Sequence, residues 1–206
     1  MFNKRTFTLA GFARSLLFNL LYGPRLITAM IHPATSGALR EQIMLGCTSV
    51  NDCRYCDWFH TQMALKNAVD LDELNQFLAN PEGTSLPEDT AIAILYAQHF
   101  AENRGKVSKD ARERLKTVFN GWQRIEINAY LHAIYLGNLS GNTFDALMSR
   151  LRGAPKAGSP VVTELIVSVV AAPVLLLIAS RARKANDSRF KSKSQSTEKL
   201  GGQNAD

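Results

Sequence analysis

Apolar residues recur every three or four positions along most of this chain, and nowhere in its body do they alternate with polar ones over a sustained stretch. That periodicity belongs to helices with one buried side, so the pattern predicts an all-α fold. Leu39, Ile43, Met44 and Cys47 share one phase and predict a helix from about Ser36 to Cys47. A turn at Asn51-Asp52 separates it from a helix running to about Ala68, with Asn51 the expected N-cap. Leu71 to Leu78 makes a short helix that ends before Pro81-Glu82-Gly83, and Pro87 begins another reaching about Asn103, closed by Gly105. Lys109 to Asn120, Gln123 to Leu136 and Phe144 to Leu151 continue the series, with Gly121 and Gly137 as punctuation. No internal repeat is visible. Residues 36–152 thus read as one helical domain.

The two ends carry different patterns. Residues 1–35 form an apolar to amphipathic helical segment, interrupted by Arg14 and by Gly23-Pro24-Arg25. Arg14 and the lack of a small-x-small site speak against a signal peptide. Leu16, Leu17, Leu20 and Leu21 repeat at helical spacing, and packing against the core is preferred over a membrane-surface role. Residues 153–160, Gly-Ala-Pro-Lys-Ala-Gly-Ser-Pro, read as a linker. From Val161 to Ala179 the only polar residues are Thr163, Glu164 and Ser168, and a helix of that length spans about 29 Å at ~1.5 Å per residue. The segment 161–180 is read as a membrane anchor, with a helix buried at an oligomer interface as the alternative. Residues 181–206 are charged, Ser-rich and coreless, and are expected to be disordered.

Charge narrows the partners. The formal net charge is +6, but residues 181–206 hold seven Lys/Arg against Asp187, Glu198 and Asp206, so the body is close to neutral and offers no expected nucleic-acid surface. The basic residues after residue 180 outnumber Arg150, Arg152 and Lys156 before the apolar segment, which favours a cytoplasmic C-terminus if it spans. No export signal is evident, so the domain is expected in the cytoplasm, attached to a membrane or soluble there.

Three cysteines are too few for a secreted disulfide scaffold, and two of them form Cys53-Arg54-Tyr55-Cys56, followed by His60. Near a helix start the dipole favours a thiolate, and the i, i+3 and i, i+4 relations put Cys53, Cys56 and His60 on one stripe. A zinc site lacks a fourth ligand nearby, and a structural disulfide across so short a loop removes little unfolded-state entropy. Cys47, in phase with Leu39 and Ile43, reads as a buried core thiol. His99 and His132 read as ordinary core or surface histidines, and Trp58 and Phe59 as shielding or core aromatics.

Glu41, twelve positions before Cys53, completes a set that resembles the alkylhydroperoxidase D branch of the carboxymuconolactone decarboxylase-like family. The likeness runs from about Arg40 to Leu147, through Thr90 to Ala97, Phe119 to Glu126 and Gly141 to Phe144, and only its first block is specific. The resemblance implies an alkylhydroperoxidase D-like helical bundle, often a homo-oligomer (trimer or hexamer), working as a peroxiredoxin-type oxidoreductase without a cofactor. It implies a hydroperoxide substrate and an external dithiol reductant. Carried over, Cys56 resembles the peroxidatic cysteine, Cys53 its resolving partner, and His60 and Glu41 the proton relay. The chain departs at Tyr55, where some members have a second histidine. Two other readings stay open: a membrane-tethered redox-sensing or assembly module, and a decarboxylase-like lyase that needs neither cysteine.

Overall fold

The computed structural model describes residues 4–83 and 86–202, with side chains as far as Ala182. Among these residues the chain is all-α: α1 (Leu9–Ile31), α2 (Gly37–Asn51), α3 (Arg54–Lys66), α4 (Leu71–Ala79), a 3-10 turn (Pro81–Gly83), α5 (Glu88–Glu102), α6 (Lys109–Val118), α7 (Gly121–Leu151) and α8 (Val161–Gly202). Side-chain caps start most of them. Thr8, Ser36 and Ser108 each accept the amide of the third residue on, and Asp70 takes those of Asp72 and Glu73. Asn120 and Gln123 form a reciprocal capping box at α7.

α7 is the axis of the molecule. α1, α2, α3 and α8 all pack along it, while α5 lies chiefly against α2 and also reaches α7 through Tyr96 and Phe100. The core between them is built from Ile43, Ala97, Phe100, Leu115, Ile127 and Leu131, each at most 1 % exposed. A second cluster, Leu45, Ala64, Leu74, Phe77 and Ile94, closes the space between α2, α3, α4 and α5. Burying each large apolar side chain stabilises the fold by about 1.5–3 kcal/mol before entropy is counted.

Several expectations are corrected. Residues 121–151 form one helix, not two: Gly137 lies inside it, in ordinary contact with Cys56 of α3, and does not end it. α1 likewise runs through Gly23-Pro24 without a break. Of the four leucines of the α1 stripe, Leu17, Leu20 and Leu21 are exposed, Leu20 at 75 %, whereas Leu16 packs partly buried against the core, and Phe12, Ser15 and Ala29 are buried. Spacing defines a stripe, but which stripe is buried depends on how α7 is met. α8 continues to Gly202 through most of the segment expected to be disordered, since Ala, Lys, Arg, Gln and Glu extend an existing helix without a new nucleation step. Residues 203–206 of that segment lie outside the described residues.

Val161–Ala182 is long and apolar enough to cross a membrane by length and composition. In the structure it runs antiparallel to α7. Arg150 clamps Glu164 through Nε at 2.7 Å and Nη2 at 3.1 Å, and Thr163, Val167, Ser168 and Leu175 form the buried stripe. Val162, Ile166, Val169, Val170 and Val174 stay exposed on the other side.

The link between α1 and α2 is held by one fully buried carboxylate. Glu126 of α7 accepts from the amides of Ala34 and Thr35, from Thr35 Oγ1 at 2.6 Å, from Tyr130 Oη at 2.9 Å, and from Arg25 Nη2 at 2.5 Å. Burial pushes its carboxyl up, but the hydrogen bonds from Thr35, Ala34 and Tyr130 outweigh it and leave the group below the ordinary carboxylate range. A carboxylate depressed in the folded state contributes stability above the unfolded pKa of ~4.3, and that contribution disappears as pH falls through the folded value. Glu126→Gln places an amide donor among donors and is expected to cost about 2–4 kcal/mol in urea unfolding at pH 7. Its loss of stability below about pH 4.3 should be correspondingly shallower than that of the wild type.

Candidate active site

α2 ends at Asn51, and Asp52 turns the chain in the left-handed region at φ 54°. The next helix begins at Arg54, so Cys53 is its N-cap at φ −92°, ψ 104°, and Asn51 is the last residue of α2. The expected cap position is thus displaced by two residues, because Asp52 and not Asn51 takes the turn. Cys53 is fully buried, Cys56 is 7 % exposed, and their Sγ atoms lie 2.8 Å apart as free thiols.

The corner fits against α7 at two glycines. A Cβ on Gly141 would come within 2.7 Å of Cys53 Sγ and 3.3 Å of a Tyr55 ring carbon, whereas one on Gly137 would meet Cys56 Sγ at an ordinary 3.7 Å. Leu175 of α8 reaches the same place, 3.7 Å from the Gly141 position, so α8 roofs the corner that α7 floors.

The two sulfurs differ electrically. The Cys56 side chain lowers Cys53 below the ordinary thiol range against the opposing effect of burial, helped by the amides of Cys56 and Tyr55 in the first turn. Cys56 is pushed well up, first by its contact with Cys53 and then by burial. Within the pair the thiolate form is thus favoured at Cys53 relative to Cys56.

Glu41 and His60 form a second pair. His60 Nδ1 and Glu41 Oε2 are 2.7 Å apart, and Arg40 Nε donates to Glu41 Oε1 at 2.7 Å. Burial pushes the Glu41 carboxyl up, but the bonds and charges of His60 and Arg40 prevail and keep it ionised below its usual range. The carboxylate takes Nδ1–H, so Nε2 is the basic nitrogen of the ring. Phe59 packs edge-on to the imidazole at 5.1 Å. The structure thus brings Glu41 to His60 and Cys53 to Cys56, and Cys56 and His60 stand one turn apart on α3.

Further residues escaped the sequence reading. Tyr55 Oη donates to Asp145 Oδ1 at 2.9 Å, and Arg54 Nη2 reaches the same oxygen at 2.6 Å while its guanidinium lies over the Tyr55 ring. The residue in place of a second histidine is therefore tied to α7. Asn138 accepts from Thr48 Oγ1 and faces Cys47 Sγ at 3.8 Å, and Asn142 Nδ2 donates to the Asn51 carbonyl at 2.6 Å. Burial holds the Cys47 thiol up at about 12, so it stays protonated. The signal for this polar seam is in the sequence: Gly137-Asn138 and Gly141-Asn142 are two Gly-Asn pairs one helical turn apart. His99 accepts the Ser108 amide, and His132 stacks between Phe18 and Tyr22. Among the described residues no group of three or more His, Cys, Asp or Glu side chains is placed to hold a metal.

Comparison with protein-family models, with curated proteins and with solved structures finds no match. The chain's chemistry is consequently read from its own geometry.

Two outcomes follow from that geometry. Gly137→Ala should be neutral or stabilise by up to ~1 kcal/mol through helix propensity, whereas Gly141→Ala should destabilise by a net ~1–2 kcal/mol, because the contact with Cys53 outweighs the same gain. Thermal or urea unfolding of the pair decides it. A thiolate absorbance titration at 240 nm should show one step below the ordinary thiol pKa of ~8.5 that disappears in Cys53→Ser.

Proposed function

We propose that the chain is a thiol–disulfide oxidoreductase of the alkylhydroperoxidase D type, reducing hydroperoxides through the Cys53/Cys56 dithiol. The observation that supports this most is the two free sulfurs at 2.8 Å, one turn before a histidine already oriented by a buried carboxylate. The pair shares a proton. Cys53 is the thiol lowered and Cys56 the one raised, so passing the Cys56 proton to Cys53, or to His60 Nε2, moves the thiolate to Cys56, a residue 7 % exposed where Cys53 is fully buried.

The Cys56 thiolate then attacks the nearer peroxide oxygen. The O–O bond breaks, the alcohol leaves with a proton from the relay, and Cys56 is left as a sulfenic acid. Cys53 attacks that sulfur, expelling water and forming the intramolecular disulfide. An external dithiol reduces the disulfide and departs oxidised, so one hydroperoxide consumes one dithiol.

A second reading is favoured by the cover over the site. Cys53 is fully buried at the Gly141 contact that Leu175 of α8 also reaches, which suits a redox-sensing module whose disulfide changes how α8 packs more than it suits rapid turnover. The exposed apolar side of α8 supports attachment of that helix to a membrane or to a second copy of the chain.

Single-turnover mass spectrometry with one equivalent of hydroperoxide separates these readings. The peroxidase reading expects a Cys53–Cys56 disulfide in the wild type, a trapped sulfenic acid on Cys56 in Cys53→Ser, and loss of turnover by at least ~100-fold in Cys56→Ser. Persistent peroxide with both thiols reduced would overturn it.

A further inference from the structure

Away from the cysteine pair, a cavity of about 360 Å³ opens between the start of α1, the turn after α5, α7 and the linker before α8. None of Glu41, Cys53, Cys56 and His60 lines it. Its volume lies at the small end of ligand cavities, which run ~300–1,000 Å³.

Six cations surround it, Lys4, Arg5, Arg14, Arg104, Lys106 and Lys156, and no Asp or Glu is among its lining residues. Some are engaged: Lys4 pairs with Asp52 at 3.2 Å, Arg5 donates to the Ala101 carbonyl at 3.0 Å, and Lys156 donates to the Lys4 carbonyl and Thr6 Oγ1. Arg14 stands over the Phe18 ring at 5.4 Å. Among the described residues Arg14, Arg104 and Lys106 have no carboxylate at ion-pair distance. The charges press on their neighbours. Burial and then Arg104 lower the Lys156 amine, while burial and then Arg14 bring His132 down to about 4 and keep it neutral.

A second observation falls on the same wall. Ser15 lines the cavity and is 5 % exposed, and its Oγ has no hydrogen-bond partner. A buried hydroxyl left unpaired is costly unless something supplies the missing bond. The rest of the wall includes apolar and aromatic side chains, Phe7, Phe18, Tyr135 and Leu139.

We propose that this cavity binds an amphiphilic anion, a carboxylate or phosphate head on a short acyl chain, with the head among Arg14, Arg104 and Lys106, on the side of Ser15, and the chain along Phe7, Phe18, Tyr135 and Leu139. Charge and shape both require two-part ligands. A small inorganic anion leaves the apolar wall uncovered, and an uncharged chain leaves the cations uncompensated.

Calorimetric titration of the full chain with decanoate tests this, with decyl phosphate, decanol and inorganic phosphate as comparisons. One decanoate per chain is expected, with decanol and inorganic phosphate at least ~10-fold weaker, about the worth of one charge-assisted contact. Decyl phosphate binding more tightly than decanoate assigns a phosphate head, and the reverse assigns a carboxylate; either supports the site. Arg104 sits in the left-handed region at φ 54°, so Arg104→Asn removes the charge while keeping that backbone accessible. Arg104→Asn and Lys106→Gln should each weaken decanoate ~5- to 10-fold without moving the unfolding midpoint. The proposal is overturned if decanol or inorganic phosphate binds as tightly as decanoate, if both variants bind like the wild type, or if no heat of binding appears.

Discussion

The close approach of α7 to the corner between α2 and α3 is the constraint on which the rest depends. At Gly141 there is no room for even one carbon between the helix backbone and Cys53, so the cysteine pair, the end of α2 and the start of α3 are held at a single distance from the molecule's axis. Asn142 reinforces the contact by donating to the last carbonyl of α2, and Asn138 bridges to Thr48 one turn earlier. Glu126 does at the other end of α7 what the asparagines do here, collecting the amides of the α1–α2 link on one carboxylate. One long helix therefore positions both α2 and the thiol corner.

That arrangement divides the candidate chemistry into two coupled parts. The Cys56 side chain, with the amides of the first turn, lowers the Cys53 thiol, Cys56 is the less completely buried residue, and the imidazole of His60 is oriented by Glu41, which Arg40 in turn holds. The proposed chemistry would need a proton to move over the short sulfur–sulfur distance, with the imidazole held by the buried carboxylate.

The outer helices complete the picture by what they leave uncovered. α8 uses one stripe to roof the thiol corner and exposes the opposite apolar stripe, and α1 shows Leu17, Leu20 and Leu21 outward while its inner side helps wall a cationic cavity. Both helices are apolar on two sides for two different reasons: one side packs on α7, and the other is available for contact outside the domain.

Helical periodicity and the absence of alternation were enough to determine an all-α chain, the approximate extent of α2 to α6, and the short stretch where thiol chemistry is concentrated, because these depend on neighbours three or four residues apart. The buried state of Cys47 was legible for the same reason. What periodicity does not contain is which stripe of a helix meets another helix. Whether Leu20 is buried, whether Gly137 breaks a helix or admits a sulfur, and whether Asp145 reaches Tyr55 were decided by the tertiary structure alone. Each depends on contacts between residues distant in the chain, where a difference of an ångström separates a fitting glycine from an overlapping one.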